Sequence, residues 1–570
     1  MKHCQQFLFR IRFVSVCCAL AGLALLGKLY LVQIVSGSEY SERAQRQYVR
    51  PNQDLWDRGS VFFEMRDGTR VSAATLKTGF TLAIHPKEMT DKAGVYAALQ
   101  KEIPLDRDEF FAKADKSADP YEEIARRLSE ETATKITALT LKGVSLYRER
   151  WRFYPGGFLA SHALGFVGFD GNLQTGRAGL ERYYNDVLFR GGSDLYQNFF
   201  AEIFSNVKKA VGPARAEGDI VTSIEPSAQH FLEDSLHDLE ERYDADRVGG
   251  IIMDPQNGRI YAMALSPSFD PNEYAKEADS GKFTNSLVEN VYEMGSIIKP
   301  LTLAAGIDAG VISATSTYND LGSLTLSGKT IANFDGKGRG VVNMQEVLNQ
   351  SLNTGAATVA LRLGKEQFRA YFKKFGLGEE TGIDLPSEAA GLVNNLESGR
   401  DIELATASYG QGIALTPIQT VRALASLGNG GFLVAPHIVT EIRYKTGITR
   451  SVEDNQKQAV LKPGTSGEIS RMLVRVVDTA LLEGAYTMQR YSIAAKTGTA
   501  LIANPEGGGY YPDKFLHSFF GYFPAYNPRF IVFLFAVQPK GVTFASHTLT
   551  VPFMNITKFL INYYEIPPDR

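Results

Sequence analysis

Ser296-Ile297-Ile298-Lys299 sets a hydroxyl and an amine three residues apart. On a helix that spacing brings both side chains to one face. A serine is a poor nucleophile until a neighbour takes its proton, and a lysine can take it only when uncharged. Burial or a second cation nearby makes a lysine uncharged. Lys496 supplies that cation in Lys496-Thr497-Gly498-Thr499, and Ser351-Leu352-Asn353 lies between the two strings. Together the strings hold a nucleophile, its base, a proton shuttle and an anion clamp. These are the parts of a serine acyl-transferase that works without histidine or aspartate.

Each string alone has an ordinary explanation. Ser296 could cap a helix and Lys299 could be a solvated charge. Ser351 and Asn353 could be turn residues. Ser205-Asn206-Val207-Lys208 has the same spacing as the first string, with nothing at a useful distance behind it. Lys-Thr-Gly also occurs at 77–79 and at 445–447, the latter between strand-like segments where a hairpin turn is expected. Order and continuation select the trio at 296, 351 and 496.

The elements around the trio must aim it. Gly295 before Ser296 and Pro300 after Lys299 predict a helix starting close to Ser296, with the hydroxyl at the positive end of its dipole. In an extended segment or tight turn, Ser351 and Asn353 share a cleft while Leu352 packs behind. A strand through Lys496 puts Lys496 and Gly498 on one face and Thr497 and Thr499 on the other. Gly498 there leaves room for a substrate backbone, which could lie along the strand as an added one. Lys496, Thr497 and Thr499 would receive a carboxylate. The backbone N–H groups of Ser296 and Thr499 would hold an oxyanion.

Further out, Asp57–Pro86 reads as strands and turns. Lys87 to about Lys142 reads as helix, including Tyr121–Leu128 with apolar residues four apart. A linker is expected at 210–218, then a strand at 220–224 and a helix at 227–243. A hairpin turning at Asn257-Gly258 follows. Strands at 518–522 and 530–537 and a helix at 553–564 close the chain. Strands at both ends with helices between them predict one antiparallel sheet.

The chain has 570 residues, enough for two to four domains, and 44% are hydrophobic. Its net charge of −3 offers no field for nucleic acid. The three cysteines are Cys4, Cys17 and Cys18, which excludes a disulfide framework or a cysteine zinc site in the main body. The run 13–35 is apolar apart from Ser15, Lys28, Gln33 and a few small residues, and is preceded by Lys2, Arg10 and Arg12. It is long enough to span a bilayer, which takes about 20 residues. The positive-inside rule then leaves 1–12 in the cytoplasm and the rest outside.

The trio resembles that of penicillin-binding proteins and serine β-lactamases, and the chain as a whole is similar to a class B penicillin-binding protein. Tyr154-Pro155-Gly156, Gly165-Phe166-Val167-Gly168, Gly179-Leu180-Glu181, Asp254-Pro255, Tyr409-Gly410-Gln411-Gly412 and Phe520-Gly521-Tyr522-Phe523-Pro524 carry that likeness. It departs from the family after Arg58-Gly59, where the usual acidic-basic string is altered, and at Met294, where proline is common. The resemblance implies an α+β multidomain protein. Its parts are a cytoplasmic N-terminus (1–12), a single transmembrane anchor (13–35), an elongated pedestal of dimerisation type (36–209), a linker (210–218) and a penicillin-binding transpeptidase domain (219–570). It implies that Ser296 attacks the penultimate D-Ala of a peptidoglycan stem peptide, Lys299 takes its proton, Ser351 passes a proton on and Asn353 orients Lys299 and the substrate. It implies inhibition by β-lactams and no metal or organic cofactor. Partners would be a multi-pass membrane glycan polymerase and divisome proteins, at the cytoplasmic membrane with the catalytic domain outside. Asn353-Thr354-Gly355 and the moderate length lean to the cell-division type. An elongation-type enzyme, a catalytically silent scaffold and a serine β-lactamase are the rivals.

Overall fold

The computed structural model describes residues 28, 56–117, 119–171, 173–190, 217–452 and 457–570. The expected anchor apart from Lys28, the 205–208 motif and residues 210–216 of the linker lie outside them. Among the described residues no helix is long and apolar enough to cross a membrane.

The chain forms two compact units. Lys77–Trp151 makes up the described body of the smaller one apart from Lys28, Trp56 and Asp57. Three helices, Lys92–Leu99, Arg107–Ala114 and Glu130–Ala138, start at the capping side chains of Asp91, Asp106 and Ser129. Their apolar faces bury Leu99, Phe110 and Ile136 with Leu82 and Ile84. The helix expected over Tyr121–Leu128 is instead a strand, Glu122–Leu128, paired antiparallel with Phe80–Ile84. Apolar residues four apart satisfy a period of two as well as 3.6, and pairing decided between them.

The larger unit takes in Arg58–Leu76 and 152–190 as well as 217–570. Residues 58–76 and 152–190 fall in the range that the sequence assigns to the pedestal. They meet at a buried ion cluster: Glu181 accepts from Arg58 Nε at 2.6 Å and from Arg152 Nε at 2.5 Å. Tyr154 donates its hydroxyl to the same carboxylate at 3.3 Å.

Of the sheets among the described residues of this unit, the one that carries the site has five antiparallel strands: β1 (Arg247–Met253), β2 (Ile260–Ser266), β3 (Ala494–Ala503), β4 (Tyr510–Phe523) and β5 (Phe530–Val537), in the order β2-β1-β5-β4-β3. The continuous apolar run of β5 fits a strand buried on both faces. Helices α1 (Pro226–Tyr243) and Ala545–Tyr563 cover one face, with Leu232, Leu236, Phe553 and Leu560 in the core. The other face packs on a helical lobe centred on α2 (Lys299–Asp308), which is buried nearly all round. The strand expected at 220–224 runs over Gly218–Thr222. The Lys445-Thr446-Gly447 string is the hairpin turn anticipated, with Gly447 N donating to Tyr444 O at 2.9 Å. Strand β3 ends the sheet, so one of its edges is open.

Candidate active site

Ser296 sits in a 3-10 turn, Gly295–Ile298, that runs directly into α2. Pro300 in the first turn of α2 needs no amide partner. The turn is pinned from outside: Gly295 N donates to Gly410 O at 3.1 Å. Both glycines have positive φ, and a Cβ on Gly410 would stand 2.3 Å from Gly295 O. Only glycine lets the 409–412 loop press this closely on the nucleophile turn.

Lys299 is fully buried. Its Nζ lies 2.9 Å from Ser296 Oγ, 3.1 Å from Ser351 Oγ and 2.5 Å from Ser351 O. Ser351 forms the turn before α3 (Asn353–Leu363) and adopts φ +55°. Leu352 is buried behind it, as the alternation requires. Lys496, on β3, is buried too, and its Nζ lies 3.1 Å from Ser351 Oγ and 3.0 Å from Thr497 O. A continuous chain therefore runs Ser296 Oγ–Lys299 Nζ–Ser351 Oγ–Lys496 Nζ.

The charge state follows from burial. Desolvation, and then the Lys496 cation, push the Lys299 pKa well below the usual lysine value. Desolvation lowers Lys496 to about 8. Lys299 feels the charge of Lys496 on top of its own burial, whereas burial alone lowers Lys496, and this favours an uncharged Lys299 beside a charged Lys496. The Ser296 hydroxyl can then donate to the lone pair of Lys299 Nζ, while Ser351 Oγ accepts from both Lys299 and Lys496.

Lys496 reaches Thr497 O, so the backbone groups of Thr497 face the open edge of β3. The two-residue period turns those of Thr499 the same way. Lys496, Thr497 and Thr499 line one cavity of about 840 Å³ together with Ser296, Ser351 and Asn353. That volume is in the range of small-molecule and peptide clefts. Thr499 Oγ1 accepts from Ala545 N at 3.1 Å.

Two expectations change. Gly498 does not make room for a substrate backbone. A Cβ there would lie 2.4 Å from Ser518 Oγ and 2.7 Å from Met294 O, so the glycine lets β3 seat against β4 and the nucleophile turn. Asn353 does not bond Lys299, whose hydrogen bonds go to Ser296 and Ser351. Its Nδ2 donates to Ala332 O at 2.8 Å.

The sequence reading passed over the cavity mouth. Phe334 and Phe544 meet edge to face there at 5.8 Å. Both are on loops without apolar periodicity, so no pattern marks them. Glu293, three residues before the nucleophile, accepts from Gly412 N at 3.0 Å and from Tyr510 OH at 2.9 Å.

Comparison with known proteins matches two families along the chain. Residues 248–556 match the penicillin binding protein transpeptidase domain family, and residues 64–197 match the penicillin-binding protein dimerisation domain family. The chain is 30% identical over 556 residues to Stage V sporulation protein D of Bacillus subtilis, covering 95% of this chain and 84% of that one. It is 26% identical over 592 residues to peptidoglycan D,D-transpeptidase FtsI of Escherichia coli, covering 100% and 94%. Among solved structures, penicillin binding protein 2X from Streptococcus thermophilus shares the fold with a TM-score of 0.72 at 18% identity, over 90% of this chain and 81% of that one.

Proposed function

The chain belongs to the class B penicillin-binding proteins, and from that premise we propose that it is a peptidoglycan D,D-transpeptidase acting through an acyl-enzyme on Ser296. The observation that carries the reading is the unbroken Ser296–Lys299–Ser351–Lys496 chain, with an amine held beside the hydroxyl.

Lys299 takes the Ser296 proton as Oγ attacks the carbonyl of the penultimate D-Ala of a stem peptide. Backbone N–H groups of Ser296 and Thr499 hold the oxyanion. The C–N bond then breaks, and the departing D-Ala amine takes its proton through Ser351. Lys496, Thr497 and Thr499 receive the terminal carboxylate. Asn353, anchored by its amide nitrogen, offers its oxygen to the substrate. An amine of a second stem attacks the ester, gives up a proton and restores Ser296. β-Lactams follow the first half of this path and stop at the ester.

Anchoring by 13–35 in the cytoplasmic membrane, with the catalytic domain outside and a multi-pass glycan polymerase and divisome proteins as partners, is part of the proposal. It is supported by the apolar run and the basic residues before it. A septal role is supported by the relatives named FtsI. The relative named Stage V sporulation protein D favours a role in sporulation instead.

The test is a donor peptide ending in D-Ala-D-Ala, an amine acceptor and the full chain. Release of D-Ala with formation of a new amide, lost in Ser296→Ala, supports the proposal. Rapid steady turnover of penicillin without a lasting adduct points to a lactamase and overturns it.

A further inference from the structure

Helix α3 opens on Asn353, yet Leu352 at its N-cap position makes no side-chain cap. The missing cap arrives from another part of the chain, the paired hairpins Thr317–Asp320/Gly340–Asn343 and Ser323–Leu326/Lys329–Ala332. Asn333 Oδ1 accepts from Thr354 N at 3.3 Å, while Asn333 Nδ2 lies 3.0 Å from each oxygen of Asp320. Asp320 is buried, at 1% exposure. It also accepts from Thr354 Oγ1 at 2.7 Å and from the backbone N–H groups of Gly322 and Arg339, each at 3.1 Å. Every neighbour within hydrogen-bond reach of this carboxylate is a donor.

We propose that Asp320 is a positioning residue for the acylation of Ser296. It orients Asn333, and the chain at 332–333 then presents the Ala332 carbonyl to Asn353 Nδ2. A carbonyl only accepts, so the amide nitrogen of Asn353 faces Ala332 and its oxygen is left for the cavity. A carboxylate is required at 320 because an amide there would set an NH2 against a ring of donors. Asp320 touches neither lysine of the site; its effect passes through Asn333 and Asn353. This inference rests on the reading of Ser296 as the acylated nucleophile.

The experiment is a double-mutant cycle on the full-length chain, with the second-order rate of acylation by a fluorescent penicillin as the readout. Asp320→Asn is expected to slow acylation roughly tenfold, while Asp320→Asn in an Asn353→Ala background costs nothing further, because coupled residues are not additive. The positions of the pH limbs stay where they are in the wild type. Thr354→Val removes one donor to Asp320 and carries the same cycle, with a smaller effect, where Asp320→Asn does not fold. Equal losses in both backgrounds mean a general structural effect and overturn the proposal, as does an undiminished rate in a folded Asp320→Asn. A wild-type chain that takes no label overturns the functional reading and this inference with it.

Discussion

Raising the pH past about 8 is expected to shut down acylation through Lys496, because burial lowers that lysine to about 8. Below this value its ammonium can receive a carboxylate; above it the group is a neutral amine. A hydrogen bond to a charged partner contributes about 1.5–3 kcal/mol, which converts to roughly 10- to 150-fold in rate. Each pH unit beyond the pKa removes about nine-tenths of the remaining ammonium, so the fall spreads over roughly two units. The acidic limb belongs to Lys299, whose pKa is depressed by burial and by the Lys496 cation, and the rate rises as it loses its proton. Because both lysines touch Ser351 Oγ, the two limbs are properties of the coupled pair. Stopped-flow acylation by a fluorescent penicillin, read as a second-order rate across roughly pH 5 to 11, measures them. Lys496→Arg keeps a cation that does not titrate in this range, so its basic limb disappears whatever its maximum. A penicillin methyl ester has no carboxylate to lose and shows no limb near 8 even with the wild type. A limb near 8 that survives in Lys496→Arg, or one equally deep with the ester, refutes the reasoning.

Stability moves the opposite way. With the folded pKa of Lys496 depressed, the unfolded chain binds more protons between about pH 8 and 10.5, so this group's contribution favours folding as pH rises through that window. Lys496→Met leaves no ammonium to desolvate; it is expected to melt above the wild type near neutral pH, by a margin that shrinks towards pH 10, and calorimetry checks it. Gly498→Ala drives a methyl against Ser518 Oγ and Met294 O. It is expected to lose about 1–3 kcal/mol of stability and to slow acylation, and denaturant melts with penicillin labelling read both. Glu181→Gln removes the buried carboxylate charge that Arg58 and Arg152 share. A loss of about 3–5 kcal/mol is expected, visible as a lowered melting midpoint; an unchanged midpoint shows that the cluster does not hold these segments together.

The site was legible because its chemistry is local. Ser296 and Lys299 share a turn, Ser351 and Asn353 flank one apolar residue, and Lys496 to Thr499 lie on one strand. Sequence order supplied the pieces, and burial of the two lysine amines beside the two serine hydroxyls supplied the geometry. The terminal strands and helices were legible from apolar runs, as with Phe530–Val537. What escaped was set by distant partners. Glu122–Leu128 became a strand because Phe80–Ile84 lay beside it. Gly498 serves Ser518 and Met294, which no spacing rule connects to it. Asn353 answers to Ala332, at the end of a short hairpin whose polar residues carry no periodic signal. Compact units that interleave along the chain cannot be read from its order, and Arg58 meeting Glu181 is an instance.

The most direct measurement is mass spectrometry of the full-length chain after reaction with a fluorescent penicillin, with the modified peptide sequenced. A single adduct on Ser296, absent from Ser296→Ala and from Lys299→Ala, is the predicted result. An adduct on any other residue, or undiminished labelling of Lys299→Ala, contradicts a serine activated by the uncharged lysine beside it.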